Sequence, residues 1–186
     1  MGFQPLSEDH LCVTSLFTVA RASFAAPDGR TFSRDIVHHP GAVVVVPVVD
    51  GGEAALVVRQ FRAPVGRELL ELPAGKCDVA GEPLEDTARR ELAEEVGMTA
   101  REVLDLGEFY NSPGYCDELS HLYLARGLTP CGSSPQGVEE ANMTIEKVRL
   151  AEVPDLVGRR AIVDAKTVLG LCLAREILAG GGGNRV

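Results

Sequence analysis

Positive charge is scarce in this chain: 18 lysines and arginines stand against 27 acids, a net charge of −9 over 186 residues. Binding to a nucleic-acid backbone draws on counterion release by clustered basic side chains, so nucleic acid is not an expected partner. No apolar run approaches the ~20 residues of a membrane-spanning helix. The opening residues, MGFQPLSEDH, lack the basic and apolar regions of a signal peptide, and Leu6 stands where a myristoylation signal would carry Ser or Thr. A cytoplasmic protein with no membrane partner is expected. The five cysteines are odd in number, scattered and without a CxxC pair, which speaks against a disulfide framework or a zinc knuckle. Nothing pairs Cys77 or Cys116 with a histidine, so a thiol nucleophile is not expected. Internal repeats and domain-splitting linkers are absent as well.

What the chain does have is a 45% hydrophobic content, enough to bury a full core in one domain of ordinary size. Its most informative stretch is GKCDVAGEPLEDTARRELAEEVGM, residues 75–98. Pro83 suits a first helical position, Glu85 and Asp86 supply first-turn acids, and Gly97 is a natural stop, so a helix is expected over residues 83–96. Leu84, Ala88, Leu92 and Val96 form its apolar stripe. At about 100° per residue, Glu91 and Glu95 fall roughly 40° apart at the edge of that stripe, with Glu94 beside them. Partly buried like charges need compensation, either from an arginine such as Arg89 or Arg90 or from an oxygen-ligated divalent cation such as magnesium. A solvated, salt-bridged helix face is the other reading of the same spacing.

The residues of this stretch resemble the Nudix box. Glu82 is followed, after seven residues, by Arg90-Glu91-Leu92-Ala93-Glu94-Glu95-Val96-Gly97-Met98. One departure stands out: six residues separate Gly75 from Glu82, one more than the family pattern has. Further stretches resemble the ADP-ribose pyrophosphatase branch of the family: residues 39–43 (HPGAV), 58–62 (VRQFR), 71–75 (ELPAG), Ser112-Pro113-Gly114 with Glu118, and 164–167 (DAKT). Pro113, sixteen residues past Gly97, is the most diagnostic of these.

The resemblance implies an α/β (α+β) fold, a mixed β-sheet sandwiched between helices, preceded by an N-terminal antiparallel β segment. It implies hydrolysis of the pyrophosphate bond of ADP-ribose to AMP and ribose 5-phosphate. Glu91 and Glu95 would be the principal ligands of magnesium, for which manganese could substitute, with Glu94 and the main-chain carbonyl of Ala74 adding oxygens. Arg90 would hold the carboxylates in place. In this branch a glutamate on a loop after the box activates the water, a place filled here by Glu139 and Glu140; a solvated acidic pair is the alternative for both. Arg62, ending its strand, could pair with a phosphate as a fork donor, and Glu118 could accept from a ribose hydroxyl. Arg34 and Asp35 fall where the resemblance would place residues reaching a partner subunit's site, or else are ordinary strand charges.

Along the chain, residues 11–24 and 31–37 read as β structure around the turn Pro27-Asp28-Gly29. Residues 1–37 are too few for their own core and are expected to serve a homodimer. Residues 38–179 would form the hydrolase domain and 180–186 a flexible tail. Within the domain, 42–49 (AVVVVPVV) reads as a strand buried on both faces, and 54–59 as its hairpin partner. Further strands are expected over 69–72, 103–111, 121–125 and 143–150, a flexible loop over 129–137, and a helix over 161–179. His38 and His39 lack partners at metal-ligand spacing and read as structural. Rival functions are a hydrolase of another nucleotide sugar such as GDP-mannose or of a dinucleoside polyphosphate, and a non-catalytic module that senses ADP-ribose.

Overall fold

The structure is a computed structural model that describes residues 2–132 and 138–180. Two compact units form, one running to Gly41 and including Phe109–Ser120, the other comprising Ala42–Glu108 and the chain from His121 onward.

The first unit is built on a three-stranded antiparallel sheet, β1 (Gln4–Val13), β2 (Thr18–Ala25) and β3 (Thr31–His38), with β2 in the middle. The sequence suggested a single β stretch over residues 11–24, and the structure divides it. Thr14 Oγ1 accepts the amides of Leu16 and Phe17 at 3.1 and 3.0 Å and donates to the Phe17 carbonyl at 2.7 Å. A hydroxyl that satisfies nearby backbone competes with the strand ladder, so the chain turns there and β1 extends back to Gln4. The next turn is as expected: Asp28 Oδ1 accepts the Arg30 amide at 3.1 Å and Gly29 takes a φ of 85°. Ala20 and Ala22 are buried, Phe24 stacks on its cross-strand partner Phe32 at 5.5 Å, and Phe3 meets Phe32 edge-on at 5.9 Å. β1 is exposed along its whole length, leaving Leu6, Leu11 and Val13 uncovered in the single chain.

In the second unit the strand order is β10 (Thr144–Arg149), β5 (Ala54–Arg62), β4 (Ala42–Val49), β9 (Leu119–Pro130) and β8 (Met98–Tyr110), with β6 (Arg67–Glu71) added to β5 and β7 (Ala74–Lys76) to β4. β4 (Ala42–Val49) is the apolar run, and its residues Val43, Val44, Val45 and Val46 are fully buried because each face is covered by a helix. Val43 and Val45 pack with Ala88, Leu92 and Val96 of α1 (Leu84–Val96). On the other face, Val46, Leu72 and Leu122 crowd Gly170 of α4 (Ala165–Ala179), where a Cβ would come within 2.5 Å of Leu72 Cδ1. The sheet between helices is thus the expected architecture.

β4 and β5 (Ala54–Arg62) pair only at Val48–Ala55 and Val49–Ala54, beside the Asp50-Gly51-Gly52 turn. Farther along, the gap between them is filled by one segment: β6 (Arg67–Glu71) pairs with β5, then β7 (Ala74–Lys76) pairs with β4. β8 (Met98–Tyr110) and β9 (Leu119–Pro130) are longer than expected, so residues 129–130 finish a strand instead of starting a loop. β10 (Thr144–Arg149) lies antiparallel to β5. After it, α3 (Val153–Gly158) precedes α4, which begins at Ala165 and not at residue 161, because Asp164 caps it by accepting the Thr167 amide at 2.9 Å. Pro83 is likewise one step outside α1: its ψ of 141° is extended, and the first helical residue is Leu84. Residues 133–137 of the expected 129–137 loop, and the tail beyond Gly180, lie outside the described residues.

Candidate active site

The expected crowding of carboxylates on one helix is present. Glu91 and Glu95 lie one turn apart on α1 and are both buried, because the stripe of Ala88, Leu92 and Val96 that anchors the helix turns them toward the sheet. Each meets the segment entering the helix. The amide of Ala74 donates to Glu95 Oε2 at 3.1 Å. A Cβ on Gly75 would stand 1.8 Å from Glu91 Cδ, so the carboxylate occupies the space a side chain would need. Glu91 keeps this seat only while position 75 is glycine, by close approach and not by an unusual φ.

Arg90 gathers three acids, Glu82, Glu91 and Glu94. Its Nε and Nη2 donate to Glu82 Oε1 and Oε2 at 3.2 and 3.1 Å, a two-pronged pair, while Nη1 donates to Glu91 Oε1 at 2.5 Å and reaches Glu94 Oε2 at 3.4 Å. Glu82 Oε2 also accepts from Thr87 Oγ1 at 2.7 Å. The hydrogen bond from Arg90, then that from Thr87, hold the Glu82 carboxyl below the usual range. The Glu82 hydrogen bond, opposed by burial, pushes the Arg90 guanidinium upward. Burial and the neighbouring acids raise the Cys77 thiol, which keeps it protonated and unsuited to nucleophilic attack.

A second pair lies at the end of β5. Arg62 Nε and Nη2 grip Glu71 Oε1 and Oε2 at 2.8 and 2.7 Å, and Glu71 is only 1% exposed. The edge of Arg62 expected to grip a phosphate as a fork is therefore taken by Glu71. Two of five N–H donors are used, leaving three for another oxygen. The hydrogen bond to Glu71 raises the Arg62 guanidinium against the effect of burial, helped by the charges of Glu71, Glu95 and Asp164. Glu71 stood in the quoted 71–75 stretch without a role of its own, although a lone acid between Leu69-Leu70 and Leu72 was a visible signal.

The other expected site residues are placed as follows. Arg34 lies on β3 in the first unit, its guanidinium 4.8 Å over the Phe32 ring and bonded to the Ser33 carbonyl at 2.8 Å. Its neighbour Asp35 pairs with Arg21. Pro113 and Glu118 belong to the same unit, on the segment that follows β8; Pro113 is exposed and Glu118 Oε1 is 4.0 Å from His39 Nδ1. His38 and His39 are held by structural hydrogen bonds: His38 Nδ1 meets Asp117 Oδ2 at 2.5 Å, and the His39 amide donates to Asp117 Oδ1 at 2.8 Å. Glu139 and Glu140 fall on the short helix α2 (Val138–Ala141), and their side chains lie outside the described residues. Among the described residues, no three His, Cys, Asp or Glu side chains already converge as a metal site. The donors around α1 are nonetheless all carboxylate or main-chain oxygens, a hard set suited to a small divalent cation.

Known proteins resemble this chain over most of its length. It is 41% identical over 145 residues to a protein of Bacillus subtilis (strain 168) described as ADP-ribose pyrophosphatase, covering 78% of this chain and 77% of the relative. An ADP-ribose pyrophosphatase of Mycobacterium tuberculosis is 38% identical over 178 residues, covering 96% and 86%. A solved structure described as an ADP compounds hydrolase superposes with a TM-score of 0.84 at 26% identity, spanning 98% of this chain and 97% of its own. The sequence model of the NUDIX domain matches residues 38–168, the span that holds the cradled carboxylates of α1, and the chain belongs to the Nudix family of hydrolases.

Proposed function

We propose that this Nudix hydrolase cleaves ADP-ribose between its two phosphates, giving AMP and ribose 5-phosphate, with magnesium as its cofactor and manganese able to replace it. The observation that carries the reading is the seating of Glu91 against Gly75 and of Glu95 on the Ala74 amide, in a chain whose relatives are described as ADP-ribose pyrophosphatases. Glu91, Glu95, Glu94 and the Ala74 carbonyl would hold the cation. When bound, it would neutralise pyrophosphate oxygens and lower the pKa of a water.

The chain's own residues supply orientation. Arg90 keeps Glu82, Glu91 and Glu94 from repelling one another apart, and its fixed fork limits their rotation. Arg62, locked by Glu71, presents its remaining donors to a phosphate oxygen. Glu139 or Glu140 takes the proton of the attacking water, and Glu118, on the Pro113 segment, accepts from a ribose hydroxyl. The exposed β1, with Leu6, Leu11 and Val13 uncovered, supports a homodimer joined through the N-terminal sheet, in which Arg34 reaches a neighbouring site. A cytoplasmic location goes with this reading; no helix among the described residues is long and apolar enough to cross a membrane.

The deciding experiment is a substrate panel with Mg²⁺, scoring AMP from ADP-ribose against nucleotide release from GDP-mannose and diadenosine polyphosphates. ADP-ribose is expected to give the highest kcat/KM, and Glu118→Gln to weaken its handling more than it disturbs metal binding. A clearly higher kcat/KM on GDP-mannose or a diadenosine polyphosphate defeats the substrate assignment. Full activity in EDTA defeats the metal assignment, and an active monomer in sedimentation defeats the dimer.

A further inference from the structure

The 164–167 stretch, Asp164-Ala165-Lys166-Thr167, is far in sequence from the box, yet it touches the segment on which the box carboxylates rest. Residues 72 and 73 carry the chain from its pairing with β5 to its pairing with β4, so neither belongs to a ladder on its own account. Their main-chain polar groups need other partners, because a buried unpaired N–H is costly. Pro73 has no N–H, and its carbonyl accepts from the Val45 amide at 2.9 Å. The buried Leu72 amide donates to Thr167 Oγ1 at 2.8 Å.

Thr167 is fully buried, and its hydroxyl is held at both ends. While it accepts from Leu72, it donates to Asp164 Oδ2 at 2.7 Å, an oxygen that also accepts the Thr167 amide. Asp164 Oδ1 is in turn bonded by Lys166 Nζ at 2.7 Å. The rotor is therefore fixed, and the Leu72 amide has one defined acceptor. Two residues later stands Ala74, whose amide seats Glu95, and then Gly75, against which Glu91 lies.

We propose that Thr167, oriented by Asp164, is a positioning residue for the metal-binding carboxylates: by anchoring Leu72 it sets the backbone of residues 72–75 and thereby the seats of Glu95 and Glu91. The proposal rests on the metal-dependent reading above. It links the first turn of α4, on one face of the sheet, to α1 on the other. The connection runs through a segment with little slack, since Leu72, Pro73 and Ala74 each have a main-chain group in a named hydrogen bond. Residues that hydrogen-bond a metal ligand change affinity by roughly 10–100-fold; Thr167 acts one step behind them, through the backbone of residues 72–75, so the lower end of that range is expected.

The test is Mn²⁺ binding to the full chain without substrate, measured by calorimetry, with apparent Mg²⁺ activation followed in parallel. Thr167→Val removes the hydroxyl and keeps the branch; its Mn²⁺ affinity is expected to fall about tenfold, and Thr167→Ser to restore it to within about twofold of wild type. Leu171→Ala, a buried change on the same helix, controls for instability: it should lower Tm and leave Mn²⁺ affinity unchanged. Should Thr167→Val not fold, Asp164→Asn decides; an affinity loss of about threefold or more is expected, below the roughly tenfold of losing a partner outright, because an amide oxygen can still accept from Thr167. Wild-type affinity in a folded Thr167→Val, or in Asp164→Asn where that variant decides, overturns the proposal. So does an equal affinity loss in Leu171→Ala. Wild-type protein that binds no Mn²⁺ defeats the metal reading and this proposal together, whereas normal wild-type binding with an unaffected variant defeats the proposal alone.

Discussion

Gly75 and Glu91 share one volume: the glutamate Cδ stands 1.8 Å from the position a Gly75 Cβ would take. No left-handed φ is involved, so alanine would meet no backbone strain at position 75. The neighbour it would strike is the far end of a rotatable side chain. Gly75→Ala is therefore expected to leave the fold almost intact, with a Tm within a few degrees of wild type, while turning Glu91 out of its seat. Turnover should fall by about two orders of magnitude or more, on the order of the loss of one preorganised electrostatic contact at a reacting centre. Wild-type turnover in this variant would show that the seat is irrelevant to the chemistry.

Glu95→Gln tests charge separately from shape. The amide oxygen can still accept from the Ala74 N–H, so the cradle survives, but one negative charge leaves the group that includes Glu91 and Glu94. Turnover is expected to drop by orders of magnitude with an unchanged melting transition. Retained turnover would remove Glu95 from the ligand set.

The Arg62–Glu71 pair should matter to stability. Its carboxylate is 1% exposed and fully engaged by the fork, whereas the guanidinium is partly open to solvent. Replacing Glu71 with Gln leaves a charge without its counter-charge, at an expected cost of about 2 kcal/mol, in the range for hydrogen bonds to charged groups. Urea denaturation reads this directly, and a loss under about 0.5 kcal/mol, the noise of ordinary surface changes, would contradict it.

His38 gives the first unit a pH dependence. The hydrogen bond to Asp117 raises its imidazole above the ordinary 6.5, burial works against that, and the charges of Asp117 and Glu8 add to it. Burial pulls Asp117 up, but His38 and the His39 amide outweigh it and hold the carboxyl below 3.8. A raised histidine contributes stability that is complete below 6.5 and is lost as pH rises through its folded value. The lowered Asp117 contributes stability that is complete above 3.8 and is lost as pH falls through its own folded value. Protection of β1 to β3 amides from hydrogen exchange should therefore be greater at pH 6 than at pH 9, after correction for intrinsic rates. His38→Asn should flatten the difference, and an equal slope in that variant would assign the effect elsewhere.

Local chemistry made much of this legible in advance. A 3.6-residue period with acids at 91, 94 and 95 is enough to place the carboxylates together on one helix, because that geometry is set within two turns of chain. The unbroken valine run of β4 likewise announced a strand covered on both sides. Spacing left Arg89 and Arg90 both open as the cation among the acids; resemblance to the box singled out Arg90, and in the structure Arg89 turns to Glu85 instead. The turn at Thr14 was not legible, because a threonine in a β-rich stretch reads as strand until its hydroxyl is seen to satisfy the backbone at Phe17. Other features depended on residues far apart in sequence. That Arg62 would spend its fork on Glu71 follows from the register of β5 against β6. That Thr167 would hold Leu72, 95 positions away, follows from where α4 crosses the sheet. Sequence by itself determined which carboxylates come together, because their spacing is a property of one helix; only the tertiary structure decided what holds them still, because those partners meet through packing between elements.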